Sequence, residues 1–254
     1  MSKQRINGDL LSEIRTKLVQ HTIALIYVDE FDQIYNIATG LLVDFCGHPM
    51  VATAAHCLEL ESDEWVGLYY GQADGNIIPR RDRHDLVLSG PYRQDWEETG
   101  IDVGLLVLRN SDLLTQAGKK FVELTNEAGR TLADGDNAFL VGFPKDKVER
   151  SILSGQDSFK TDLIPCFIDT ELKWRDSIGY HYTYAKNKAV DCSSEGLDLP
   201  NGAGLSGAGL WVRGPDGRLL LIGINSSRSG SNGFAVKIES WMELAAQFIA
   251  QFRP

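Results

Sequence analysis

Cysteine is scarce in this chain, with four in 254 residues. So few cannot staple a disulfide scaffold, and a core of packed side chains must hold the fold instead. Long apolar runs are missing too. Ile23–Val28 is typical of those present, and a membrane-spanning helix needs about 20 apolar residues. A secretory core needs roughly 7–15 in a row. The stretch after Lys3 and Arg5 is broken by Asp9, Glu13, Arg15 and Lys17. Neither a signal peptide nor a membrane anchor is therefore expected, and the expected compartment is the cytosol, where thiols stay reduced. Basic residues are in deficit, 25 Lys and Arg against 35 Asp and Glu, for a net charge of −10. An acidic surface repels phosphates, so a nucleic-acid backbone is not an expected partner, and with apolar runs this short a membrane is not expected either. Repeats of fixed period and low-complexity tracts are absent.

What remains is ordinary globular composition, 43% hydrophobic and 24% charged, which excludes a disordered chain, a collagen and a coiled coil. Residues 9–20 carry Leu10, Leu11, Ile14 and Leu18 at helical spacing behind Asp9, a candidate N-cap. The texture then changes. TIALIYV, YNIATGLLVD, MVATA, WVGLYYG, DLVLSG and DVGLLVL are short runs rich in β-branched and aromatic residues, cut by Gly, Asp, Asn and Pro. Such runs predict a sandwich or barrel. The more polar stretch 111–136 reads as a connection between two lobes. Strand-like runs resume with AFLVGFP, KTDLIPCFIDTEL, YHYTYA, GLWV, RLLLIGINSS and FAVKI. The tail places Trp241, Leu244, Ala245, Phe248 and Ile249 on one helical face.

Three segments bear on chemistry. They are Val51-Ala52-Thr53-Ala54-Ala55-His56-Cys57, Gly100-Ile101-Asp102-Val103-Gly104-Leu105-Leu106 and Asn201-Gly202-Ala203-Gly204-Leu205-Ser206-Gly207-Ala208-Gly209. Alone, His56 could be a core histidine, Asp102 a strand cap and the glycine run a tight loop. Together they supply a nucleophile, a base and a carboxylate. A serine attacks only with a base in reach, and the base needs a carboxylate to hold its tautomer and stabilise the imidazolium. The order His56…Asp102…Ser206 differs from the Ser…Asp…His order of α/β-hydrolases. Two competing motifs fail on context. Gly202-x-Gly204-x-x-Gly207 matches a dinucleotide fingerprint, but a strand-like run follows it where a helix is required. Cys46, His48, His56 and Cys57 could ligate zinc, but adjacent residues point different ways and fit a tetrahedral site poorly. Neither a metal nor a cofactor is expected.

TAAHC, D-V-G-L-L and G-L-S-G, at intervals of 46 and 104 residues, resemble the three signature segments of the trypsin-like (chymotrypsin-fold) serine peptidases. Among these the chain is most similar to the bacterial-type intracellular members. The resemblance covers roughly residues 20–254. It implies an all-β fold of two six-stranded antiparallel Greek-key β-barrels, with an N-terminal and a C-terminal helix. Residues 1–20 would form a helical extension, 21–120 a first barrel with His56 and Asp102, and 121–254 a second barrel with Ser206 and the C-terminal helix. It implies a serine endopeptidase acting through a Ser-His-Asp triad and an acyl-enzyme. The N–H groups of Gly204 and Ser206 would form the oxyanion hole, and Pro200, Ser226 and Gly233 would line the substrate groove. The partners implied are a protein or peptide substrate and a regulatory protein. The alternative is an inactive barrel that binds a partner.

The chain also departs from the family. Leu205 stands where cleavage-activated members carry an Asp that pairs with a new N-terminus, so activation by cutting is not expected. Ala208 replaces a common Gly. Pro200, beside Leu199, occupies the pocket base and carries no charge, and Asp198 lies two residues too early. Cleavage after a small or apolar residue is therefore expected rather than after Lys or Arg. Cys46 and Cys57 resemble the pair flanking the family's histidine, and reduced thiols are expected there.

Overall fold

The computed structural model describes residues 14, 16–28, 34–59, 65–69, 87–88, 93–124, 137–143, 150–151, 160–161, 166–191, 196–197, 204–214, 216–229 and 232–251. The first sheet is built from β1 (Thr22–Val28), β2 (Ile34–Phe45), β3 (His48–Thr53), β4 (Trp65–Tyr69), β5 (Val87–Leu88), β6 (Gly104–Leu108) and β7 (Val122–Glu123). Six of these run antiparallel in the order β4-β1-β2-β3-β6-β5, and β7 adds a short parallel pairing to β2. The second lobe contains β8 (Asn137–Gly142), β9 (Arg150–Ser151), β10 (Lys160–Thr161), β11 (Cys166–Arg175), β12 (Gly179–Asp191), β13 (Gly196–Leu197), β14 (Gly209–Arg213), β15 (Leu219–Ser229) and β16 (Asn232–Lys237). Its order is β11-β8-β14-β15-β16-β12, and β11 pairs β12 again, so six antiparallel strands close into a barrel. β13 extends this sheet beyond β12, and β9 and β10 pair only with each other. Few residues are helical, and a C-terminal helix, Ile238–Gln251, ends the described chain. Among the described residues no helix is long and apolar enough to cross a membrane.

The strands read as near-continuous apolar runs because alternate residues enter two different cores. In β6, Leu106 and Leu108 face the interior of the first lobe, while Leu105 and Val107 join a core shared between the lobes. β8 divides likewise, Ala138 and Leu140 going to the second barrel and Phe139 and Val141 to the shared core. A large apolar side chain contributes about 1.5–3 kcal/mol when fully buried, so one face stabilises each lobe and the other holds the lobes together. The terminal helix adds Trp241, Met242 and Ala245 to that shared core. Leu244, Phe248 and Ile249 pack against it half-buried, and Trp241 Nε1–H donates to the Gly104 carbonyl at 3.0 Å. Near the other terminus, residues 16–20 are helical, and Ile14 and Leu18 enter the same core.

The polar stretch after residue 110 does more than connect. Its helix Asp112–Gln116 buries Leu114 in the first-lobe core. Lys119 Nζ donates to the Val19 and Thr22 carbonyls at 3.0 and 2.7 Å. Those two bonds engage two of the three donors of a lysine that is only 6% exposed. Residues 125–136 of that stretch lie outside the described residues, as do 9–13 of the first helix and the pocket positions Asp198, Leu199 and Pro200.

Candidate active site

His56 and Asp102 come together because of strand register. β3 pairs with β6 so that Thr53 faces Gly104. His56 lies three residues beyond Thr53 and Asp102 two before Gly104, so both emerge from the same end of one antiparallel pair. After β3 the chain makes a single 3₁₀ turn, Ala55–Cys57. Tyr27 OH ties this turn to the sheet by donating to the Cys57 carbonyl at 2.5 Å. Asp102 is 3% exposed and fully engaged. Its Oδ1 accepts the His56 backbone N–H at 3.0 Å, and its Oδ2 accepts His56 Nδ1–H at 2.7 Å. With Nδ1 donating, the neutral ring keeps its free lone pair on Nε2.

A third bond to this carboxylate crosses between the lobes. Ser226 Oγ–H, from β15, donates to Asp102 Oδ2 at 2.6 Å. Ser226 also receives the nucleophile candidate, since Ser206 Oγ–H donates to the Ser226 carbonyl at 3.4 Å. Among the described residues no hydrogen bond yet joins Ser206 to His56. Bonds of this kind commonly tighten only when substrate binds.

Burial disfavours a charge on both His56 and Asp102, but the pair outweighs it. For His56, burial lowers the pKa, while the bond to Asp102 and the neighbouring Cys57 raise it, leaving the ring well above its ordinary 6.5. For Asp102, burial raises the pKa, while the His56 and Ser226 bonds pull it below the ordinary carboxylate value.

Ser206 sits on a turn that only glycine permits on both sides. Gly204 has φ +91° and Gly207 φ +85°. A Cβ on Gly207 would lie 1.9 Å from the Thr39 carbonyl oxygen. Gly207 N–H donates to Asn225 O at 2.7 Å, and Asn225 N–H donates to Ala208 O at 2.7 Å. Among the described residues neither Gly204 N–H nor Ser206 N–H has an acceptor, which leaves both available to an oxyanion.

The other expected site residues fall as follows. Gly233 lies in β16 against the Tyr182 ring, where a Cβ would be 2.2 Å from Cζ. Pro200 lies outside the described residues. Cys46 is an exposed thiol and Cys57 a buried one, both free. Three contributors were not anticipated. Trp96 places its ring 5.8 Å from the His56 ring and donates Nε1–H to Glu59 Oε1 at 2.6 Å. Thr39 and Asn225 hold the nucleophile turn. The signal for these two was present as polar residues inside the strand-like runs ATGLLVD and LLLIGINSS.

No protein-family model matches the chain, and no curated protein matches it in sequence. Solved structures do match. Human heparin binding protein, a chymotrypsin-fold serine protease homologue, has a TM-score of 0.55 at 16% identity over 91% of this chain and 92% of its own. A mutant of that protein gives 0.55 at 15%, covering 92% and 93%. An inactive form of a protein from M. tuberculosis gives 0.49 at 13%, covering 97% and 96%. At such identities the likeness speaks for the fold alone: the chain has the chymotrypsin-like double-barrel architecture.

Proposed function

We propose that this chain is a serine endopeptidase that cleaves protein substrates through an acyl-enzyme. The observation that carries the reading is the double engagement of Asp102 Oδ2, by His56 from the first lobe and Ser226 from the second. A buried carboxylate that accepts both bonds orients the imidazole and favours its protonated form once a proton arrives. Ser206 Oγ then attacks the scissile carbonyl carbon while its proton passes to His56 Nε2. The carbonyl π electrons move to oxygen, and the N–H groups of Gly204 and Ser206 receive that charge. His56 returns the proton to the departing amine as the C–N bond breaks, leaving an ester on Ser206. Water, deprotonated by His56, hydrolyses the ester and restores the hydroxyl. The regulatory partner and a cytosolic site of action belong to the same proposal, as does preference for a small or apolar residue before the cut.

Reaction with a fluorophosphonate tests the reading directly. The wild type should form one adduct, on Ser206, and Ser206→Ala should form none. Comparing new protein N-termini in cells carrying active or Ser206→Ala protein should then identify the substrates. An unlabelled wild type with no such termini would overturn the proposal in favour of a binding barrel.

A further inference from the structure

Three successive carbonyls of the nucleophile turn are held by side chains and backbone from outside it. The Gly204 carbonyl accepts Thr39 Oγ1–H at 2.7 Å. The Leu205 carbonyl accepts Asn225 Nδ2–H at 2.8 Å and Ala208 N–H at 3.0 Å. The Ser206 carbonyl accepts Thr39 N–H at 2.8 Å. A trans peptide points its C=O and N–H in opposite directions, and no described peptide is cis. Fixing the Leu205 oxygen on Asn225 therefore aims the Ser206 N–H the other way. Pinning the Gly204 and Ser206 oxygens on Thr39 fixes the turn on both sides of that peptide.

Each holder is itself held. Tyr182 OH donates to Asn225 Oδ1, so the amide can present only its NH₂ to Leu205. Tyr182 and Asn225 are 1% and 2% exposed, and the absent side chain at Gly233 leaves room for the Tyr182 ring. The Thr39 hydroxyl accepts Phe143 N–H at 3.0 Å, which leaves its proton for Gly204. Gly142 makes that approach possible, since a Cβ there would lie 2.7 Å from Thr39 Oγ1 and 2.9 Å from Leu205 Cδ2. Residue 205 is a fully buried leucine, so no charge pair at that position is available to hold the turn.

We propose that Asn225, oriented by Tyr182, together with Thr39, are positioning residues that hold the Ser206 and Gly204 N–H groups as a ready-made oxyanion hole, with no activating cut. This rests on the serine peptidase reading. The test compares wild type with Asn225→Asp, Tyr182→Phe, Thr39→Val and Thr39→Ser, using a cleavable peptide and a peptide aldehyde and counting active sites in each sample. Losing one oxyanion donor costs about 10²–10³ in kcat. Asn225→Asp and Thr39→Val should lower kcat per active site by about 10- to 10³-fold with KM changed less than about threefold. Aldehyde binding should weaken by the same factor as kcat, because its adduct carries the oxyanion. Tyr182→Phe should lose about tenfold, and Thr39→Ser should recover most of the Thr39→Val loss.

A merely structural role would lower the melting temperature or the active fraction and leave kcat per active site unchanged, which would overturn the inference. Should Asn225→Asp not fold, Tyr182→Phe and the Thr39 pair read the same split. A wild type that takes up no fluorophosphonate and cleaves no peptide removes the peptidase reading and this inference together. An active wild type with unchanged variants removes this inference alone.

Discussion

The two lobes hold their shares of the site by different means. In the first, His56 and Asp102 sit at the paired ends of β3 and β6, and backbone register brings them within reach of the bonds that join them. In the second, Ser206 sits on a glycine turn with no ladder of its own, clamped by Thr39 from the first lobe and Asn225 from the second. A ladder spreads its support over many bonds, so losing one side chain leaves the geometry standing. A clamp concentrates support in a few buried polar groups, each costly when left unmade. Changes to the reacting groups should therefore fail chemically, whereas changes to the clamp of the nucleophile turn should fail structurally as well.

The largest effect tests the reacting groups themselves, one from each lobe. Ser206→Ala and His56→Ala should each lower kcat by about 10⁴-fold or more, and the double variant should lose little further, because the groups act as one unit. Circular dichroism should show both folded. The pH profile sharpens the point. His56 must be neutral to act as a base, and its pKa is raised by Asp102. Wild-type kcat/KM should therefore rise with pH along a limb centred above 6.5. Asp102→Asn should cost about 10⁴-fold in kcat. It should also move the residual limb downward, because burial then acts on His56 with less to oppose it. A limb at or below 6.5 in wild type would contradict this account of the pair.

Gly207→Ala tests the nucleophile turn. The added Cβ would meet the Thr39 carbonyl oxygen at 1.9 Å, at a φ of +85°. We expect a loss of about 3 kcal/mol or more in urea unfolding, together with a lower active fraction. The corresponding change on the first-lobe side, Gly100→Ala, meets only the Ile178 side chain at 3.6 Å, at a φ of +69°. It should cost about 1 kcal/mol.

Lys119→Met is the smallest test and should leave kcat unchanged. Burial lowers the Lys119 pKa from 10.5 to about 8. Between those values the unfolded chain binds a proton that the folded chain does not, so Lys119 makes stability rise as pH increases from about 8 to 10.5. The wild-type minus Lys119→Met difference in stability should show that rise. A flat difference would mean that the lysine is charged and well solvated.

Much of this molecule could be read without coordinates. Short β-rich runs, a terminal amphipathic segment and TAAHC, D-V-G-L-L and G-L-S-G in order were enough to expect a double barrel and to single out His56, Asp102 and Ser206. These features are legible because each is local: a period, a turn residue or a short motif whose chemistry needs particular side chains. The apolar runs of β6 and β8 carried a further message that periodicity could not decode, since burial on both faces erases alternation. What decided that was the shared core, which exists only once the lobes pack. The same holds for the supports of the nucleophile turn. Thr39 lies 165 residues from Gly204, and Ser226 lies 124 from Asp102. At such separations no local pattern distinguishes a serine that meets a carboxylate from one that meets water. The amino-acid sequence by itself determined which groups are candidates for chemistry. Only the tertiary structure decided which groups hold them, because a hydrogen bond depends on distances of about 3 Å that chain topology, not sequence spacing, establishes.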